Sequence, residues 1–301
     1  MRIAVAATPA VAIPTLEALL DAEHELVCVI TKPDAPAGRG RALQSTPVAL
    51  WADQNNVTLH KPESSQQLGE LLEGLDLVIT IGYGALLPLE ILQKPKYGFI
   101  NLHFSLLPRW RGAAPVQRAI ESGDSVTGVT VFQLDAGMDT GPVYVSREFP
   151  LSVSATTDQV FESLAELGVE PVLETLELIE SGAKPTPQNE DGATRAFKLS
   201  KEEGRIDWNL ESDLIVRKIN AFNPHPGAWS NFRGQILKIN KARISDETGA
   251  PGVINLKEKS IYIGTRSSAL ELLEVTPAGK SQMSAYSWAN GARLNATDML
   301  Q

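Results

Sequence analysis

The chain has 301 residues, 43% hydrophobic and 21% charged, which is the make-up of a globular protein long enough for one large or two ordinary domains and excludes a largely disordered chain. Its formal net charge of −9 argues against a nucleic-acid partner, until the chain is divided after Gly204: 15 basic and 27 acidic residues give −12 before that point, and 12 basic and 9 acidic give +3 after it. Cys28 is the single cysteine, which excludes an intrachain disulfide and a cysteine-based zinc cluster and points to a reducing, cytoplasmic setting; no secretory leader or membrane-length apolar run is expected.

In chain order, the apolar run 2–6 predicts a strand, Leu16, Leu19 and Leu20 a helix, and 26–31 a second strand. The alternation continues with a helix at 64–73, a strand at 76–81, a short helix near 86–92 and a strand at 97–103. Such continuously apolar strands between helices imply an α/β fold with a mostly parallel sheet covered on both faces, whose ligands sit beyond the carboxyl ends of the strands. Residues 126–149 hold two β-rich runs around a Gly- and Asp-rich loop, an antiparallel pair added to the sheet. One long amphipathic helix is expected over 157–181, ending at Gly182. The polar stretch 183–204, with two prolines and no period, predicts a linker, so the chain divides into 1–182, the linker, and 205–301. The last part predicts a helix at 210–221 and about five short strands ending near Thr276, enough for a small β-barrel of the oligonucleotide-binding (OB-like) type.

Nucleotide-cofactor signatures are missing. The first turn, Ala7-Thr8-Pro9-Ala10, carries no glycine, so the dinucleotide fingerprint is absent where it belongs, and no phosphate-binding P-loop occurs. The informative stretch is INLHFSLLPRWRGAAP at 100–115. Asn101 and His103 lie two apart at the end of a predicted strand and so project on one face; an amide donor beside an imidazole suits a reaction in which a carbonyl becomes a tetrahedral oxyanion. The competing role for His103 is a cap on the strand end. The loop DAGMDTG offers two acids, Asp135 and Asp139, either of which reads equally as an Asx-turn residue.

The segment N-L-H-x-S-L-L-P, followed 36 positions after His103 by the second acid of D-x-G-x-D-T-G, resembles the folate-dependent formyltransferase family. The runs RWRGAAP, PDAPAGRGRAL, LSKEEGRIDW, AFNP (221–224) and PAGK-x-x-M-S-A (277–285) are similar to those of members acting on aminoacylated tRNA, and together the matches span nearly the whole chain. The resemblance implies a Rossmann-like catalytic domain over 1–182 and a tRNA-binding module over 205–301, with formyl transfer from 10-formyltetrahydrofolate to the α-amino group of methionyl initiator tRNA, no metal and a monomer. It implies a catalytic triad of Asn101, His103 and Asp139: the first two donate to the oxyanion, while Asp139 helps carry protons from the attacking amine to the departing N10. Ser105, Leu106, Leu107 and Pro108 align with the folate-contacting segment, with Leu86 and Leu87 a second wall of the pterin pocket. Arg39 and Arg41 fall in a loop implied to meet the acceptor stem, and Lys238, Lys241 and Arg243 are candidates for the tRNA body.

The family's G-T-P-x-F turn reads Ala-Thr-Pro-Ala-Val here, with Val11 where an aromatic is associated with the methionyl side chain, and Phe104 stands where a small residue is common. Phe104 is expected to face the same pocket and compensate for Val11. An alternative of the same chemistry, formylation of an amino sugar or nucleotide, needs neither the basic module nor the GRGR loop. A noncatalytic tRNA binder has no use for the triad.

Overall fold

The computed structural model describes residues 1–37, 42–295 and 297–301. The chain forms two compact units, one from Met1–Pro115, Val126–Pro150 and Phe161–Ala196, the other from Val116–Ser125, Leu151–Val160 and Phe197–Gln301.

The strands of the first unit are β1 (Arg2–Ala7), β2 (Glu25–Ile30), the short ribbon β3 (Ala35–Ala37) and β4 (Ala42–Gln44), β5 (Leu59–His60), β6 (Leu77–Ile81), β7 (Phe99–His103), β8 (Arg111–Gly112), β9 (Val126–Gln133), β10 (Val143–Pro150) and β11 (Arg195–Ala196). The helices are α1 (Ile13–Leu20), α2 (Pro47–Gln54), α3 (Ser65–Glu70), α4 (Leu89–Leu92), α5 (Pro115–Ser122), α6 (Thr157–Leu167) and α7 (Val169–Glu180), of which α5 and α6 each contribute to both units. Seven strands form one sheet in the order β10-β9-β7-β6-β1-β2-β5. The five from β7 to β5 run parallel, while β9 is antiparallel to β7 and β10 to β9, as the alternating pattern followed by a hairpin predicts.

Side chains alternate across this sheet, and the alternation decides where chemistry can occur. Ala4, Ala6, Cys28, Ile30, Val78 and Phe99 face Leu68, Leu72, Ile91 and Leu92 in one apolar cluster. Leu68 and Leu72 are almost wholly buried, each contributing about 1.5–3 kcal/mol of apolar burial. Burial pushes the Cys28 thiol up to about 11, so it packs as a neutral apolar group. Phe99 shares the parity of Asn101 and His103, so the site lies on this same face, where the apolar cluster ends. Leu102 points the other way, against Gly168, where a Cβ would lie 2.6 Å from the leucine Cδ2. That close approach explains the glycine between α6 and α7, two helices where the sequence predicts one.

Helix α2 is absent from the sequence expectation. Its start is well specified: Thr46 accepts a hydrogen bond from the Ala49 N–H at 3.0 Å, Pro47 occupies the first turn, and Val48, Ala49, Trp51 and Ala52 are buried.

The second unit contains α8 (Ser212–Phe222), β12 (Trp229–Phe232), β13 (Gln235–Ile244), β14 (Ile254–Lys257), β15 (Ser260–Ile263), β16 (Leu270–Pro277), β17 (Met283–Ser284) and α9 (Ala285–Ala292). The antiparallel order β12-β13-β16-β15-β14 would leave β12 and β14 as free edges. Bridges from Leu300 to Phe232 and from Met299 to Val253 join those edges and close a small barrel, the architecture expected from the short strands. Two runs used for the family resemblance have structural tasks here. Ser200 and Glu203 form a reciprocal capping pair, each backbone N–H donating to the other's side chain, and Ser284 caps α9 through the Ser287 N–H. Among the described residues no helix is long and apolar enough to cross a membrane.

Candidate active site

Strand β7 presents Asn101 and His103 on one face, and the neighbouring strands complete their surroundings. Thr80, at the same level of β6, donates its hydroxyl to Asn101 Oδ1 at 2.8 Å and shares it with the Ile100 carbonyl at 3.0 Å. With Oδ1 held by Thr80, the Nδ2 hydrogens of Asn101 are left for another acceptor. Phe132, opposite Asn101 on β9, meets the imidazole of His103 edge to face at a centroid separation of 6.3 Å.

His103 is 5% exposed. Its Nε2 lies 2.9 Å from the Trp110 carbonyl oxygen, which can only accept, so Nε2 carries the hydrogen and Nδ1 is the nitrogen presented to the acid. Asp139 Oδ2 stands 3.8 Å from that Nδ1 and accepts the Gly112 backbone N–H at 2.7 Å. Asp139 adopts a left-handed backbone, φ 55°, which aspartate tolerates better than most residues. The choice between the two loop acids is therefore made by hydrogen bonding. Asp135 Oδ1 accepts the Gly137 N–H at 2.9 Å and the Thr140 hydroxyl at 2.8 Å, an Asx turn that shapes the loop and leaves Asp139 to face the histidine.

The segment after β7 is fixed by its own polar groups. Ser105 is fully buried; its hydroxyl donates to the Arg109 carbonyl at 2.6 Å, and its carbonyl accepts from Thr130 at 2.7 Å. The Leu107 N–H donates to the same Thr130 oxygen at 3.2 Å. Ser105 thus shapes the run Leu106-Leu107-Pro108 and has no side-chain surface to offer. Of the second pair, Leu86 is 76% exposed whereas Leu87 is buried in the apolar cluster, so the two face different surroundings. Phe104 corrects an expectation: its ring packs on Phe161 at 5.6 Å, on the Leu102 side of the sheet, because neighbours of His103 in sequence point away from it. It does not compensate for Val11.

Several residues of this site are not among the sequence candidates. Arg111 is buried, and its guanidinium donates to Gln188 Oε1 through Nε (3.1 Å) and Nη2 (2.8 Å) and to the Glu190 carboxylate through Nη1 and Nη2 (3.0 Å each). Arg111 holds the Glu190 carboxyl below its ordinary range, chiefly through these hydrogen bonds. Gln188 in turn donates to the Asp139 and Gly141 carbonyls, and Thr194 accepts the Trp110 N–H at 2.9 Å. Gln188, Glu190 and Thr194 all fall in the stretch 183–204, where the composition predicts only a linker. A parallel register of β6 and β7 would have found Thr80.

Arg39 and Arg41 lie outside the described residues. Lys238, Lys241 and Arg243 lie along β13, opposite Thr276, Glu274 and Glu271 of β16. Arg243 forms an ion pair with Glu271 at 2.6 Å, Lys238 donates to the Pro226 carbonyl at 3.2 Å, and Lys241 is exposed. Among the described residues no group of three or more His, Cys, Asp or Glu side chains is placed to hold a metal ion.

Two family descriptions match this chain, formyl transferase over residues 1–176 and formyl transferase, C-terminal domain, over residues 198–293. The methionyl-tRNA formyltransferase of Mycobacteroides abscessus is 43% identical over 98% of each chain, and that of Salinispora tropica is 41% identical over the whole of both. Among solved structures, HypX from Aquifex aeolicus in complex with tetrahydrofolic acid superposes with a TM-score of 0.71 at 23% identity, covering all of this chain and 50% of that one. The chain thus spans about half the length of HypX. An N-formyltransferase from Helicobacter canadensis, in complex with folinic acid and dTDP-3-aminofucose, has a TM-score of 0.70 at 19% identity over 90% of this chain and 98% of that one. At these identities the two structures speak for the fold alone.

Proposed function

The chain belongs to the formyl transferase family, and on that premise we propose that it transfers the formyl group of 10-formyltetrahydrofolate to the α-amino group of methionyl initiator tRNA. The observation that carries the choice of substrate is end-to-end similarity, above 40% identity, to proteins named for that reaction.

The amine attacks the formyl carbon, giving a tetrahedral intermediate with its charge on the formyl oxygen. Asn101 Nδ2, left available by Thr80, donates to that oxyanion, and the Nδ1 edge of His103 supplies the second donor when protonated. Asp139, through a water, accepts the proton that the attacking nitrogen must lose and returns it to N10, so that the C–N10 bond breaks with a neutral leaving group. The products are the formamide and tetrahydrofolate. Leu106, Leu107 and Pro108, shaped by the buried Ser105, form one wall of the folate site, with Leu86 as the exposed member of a second wall and Leu87 supporting it from the core.

Residues 1–182 serve the chemistry, and 205–301 hold the tRNA. Lys238, Lys241 and Arg243 contact the tRNA body, and Arg39 and Arg41 the acceptor end. Because Glu271 and Glu274 stand across the ladder from Arg243 and Lys241, a phosphate contact at either of these two basic residues competes with a carboxylate. Binding is consequently modest and falls with salt. The enzyme works in the cytoplasm as a monomer.

Purified protein supplied with 10-formyltetrahydrofolate and charged initiator tRNA should yield formylmethionyl-tRNA, with no transfer to nucleotide-linked amino sugars. Absence of product with active co-substrate, or preference for the amino sugar, overturns the reading.

A further inference from the structure

We propose that Gln188, locked by Arg111 and Glu190, is a positioning residue for Asp139, so that the polar stretch following α7 is part of the machinery of formyl transfer. The inference rests on the reading of Asn101, His103 and Asp139 given above and extends it to residues that touch no reacting atom.

Every polar atom of the Gln188 side chain is engaged. Its Nε2 donates to the Asp139 carbonyl at 2.9 Å and to the Gly141 carbonyl at 2.8 Å, while its Oε1 accepts two hydrogens from Arg111, at 3.1 and 2.8 Å. The amide orientation is determined by chemistry, since the reverse would set an oxygen against two carbonyls and an NH₂ against a guanidinium. Arg111 is itself fixed: the Glu190 carboxylate receives two of its hydrogens at 3.0 Å each, and its backbone pairs with the Thr194 carbonyl at 2.9 Å.

The next residue, Gly112, donates its N–H to Asp139 Oδ2 at 2.7 Å. Asp139 is thereby held at both ends, its carbonyl by Gln188 and its carboxylate by the strand carrying Arg111. This matters because Asp139 has a left-handed backbone in a loop whose Ala136, Gly137 and Met138 are exposed, and the Asx turn of that loop engages Gly137 and Thr140. Released from Gln188, the loop would relax, and an acid displaced by even about 1 Å loses most of its value in proton transfer.

The test is a double-mutant cycle in the full-length protein, with kcat, both KM values and the unfolding midpoint measured for Gln188→Ala, Asp139→Asn and the pair. Gln188→Met, of similar length and without hydrogen-bonding groups, is run in parallel in case the alanine variant folds poorly. The expected result is that Gln188→Ala or Gln188→Met lowers kcat about tenfold to hundredfold, leaves both KM values within about threefold, and costs nothing further when Asp139 is already asparagine. An equal loss in both backgrounds would identify a purely structural role and overturn the proposal, as would near-normal kcat in both Gln188 variants. Near-normal kcat in Asp139→Asn alone overturns the catalytic reading itself, and the positioning role with it.

Discussion

Asp139→Asn isolates the contribution of one negative charge. Asparagine has the same shape, is at ease at the backbone φ of 55°, and its Oδ1 can still accept the Gly112 N–H now 2.7 Å away. What changes is the charge 3.8 Å from His103 Nδ1 and the capacity to take a proton. Two unit charges at that distance, in an effective dielectric of about 20, interact by about 4 kcal/mol, which bounds the loss at about three orders of magnitude in rate. The pair is not wholly dry, since the Asp139 side chain is 15% exposed, so the expected fall in kcat is about two to three orders. The assay is single-turnover formylation with enzyme in excess over charged tRNA, run beside a urea titration showing an unchanged midpoint. A variant that folds normally and keeps a rate within about tenfold of the parent would refute the role given to Asp139.

Other substitutions test the surroundings. Thr80→Val removes a buried hydroxyl with little change of shape; freeing Asn101 Oδ1 should lower kcat about five- to tenfold with KM unchanged, since one neutral hydrogen bond is worth about 1 kcal/mol, and an unaltered kcat would contradict it. Gly112→Ala places a Cβ 2.6 Å from the Ala196 carbonyl oxygen at φ 128°, and should cost about 2–4 kcal/mol in urea unfolding; a loss under about 1 kcal/mol would show that the β8–β11 pair shifts freely. Glu203 is held down to about 2, first by the Ser200 N–H and then by Arg118. Its folded value lies below its unfolded one, so its stabilising effect is complete above about pH 4.5 and lost as pH falls toward 2. Because the side chain is 41% exposed, Glu203→Gln should cost no more than about 1 kcal/mol near neutrality, and parent and variant should converge near pH 2; a constant gap across that range would contradict the assignment.

The residues most legible in the sequence were those whose position follows from a repeat. Asn101 and His103 share a face because strands have a period of two, and four of the five parallel strands follow from apolar runs separated by helices, the two-residue β5 being too short to show a pattern. The same period, carried one residue further, turns Phe104 away from that face and onto Phe161. Asp135 and Asp139 could not be separated by spacing, because the decision lies in which carboxylate closes a turn on Gly137 and Thr140. Gln188 and Thr194 were illegible for another reason: a polar stretch with no period gives no sign that its side chains serve segments 49 and 84 residues earlier. Closure of the barrel was equally hidden, since Met299 and Leu300 complete two edges as isolated bridges with no strand pattern of their own.

The second unit takes in Val116–Ser125 and Leu151–Val160 as well as everything from Phe197 onward. Arg217 donates to the Ser122 carbonyl, Arg118 pairs with Glu203, and the Thr157 hydroxyl donates to the Ala221 carbonyl, so the borrowed segments satisfy polar groups of the module they join. A gene cut near residue 200 would therefore not release a self-sufficient cassette. Grafting the barrel onto another catalytic fold would require its host to supply equivalents of both segments, which ties the inheritance of this module to the chain that precedes it.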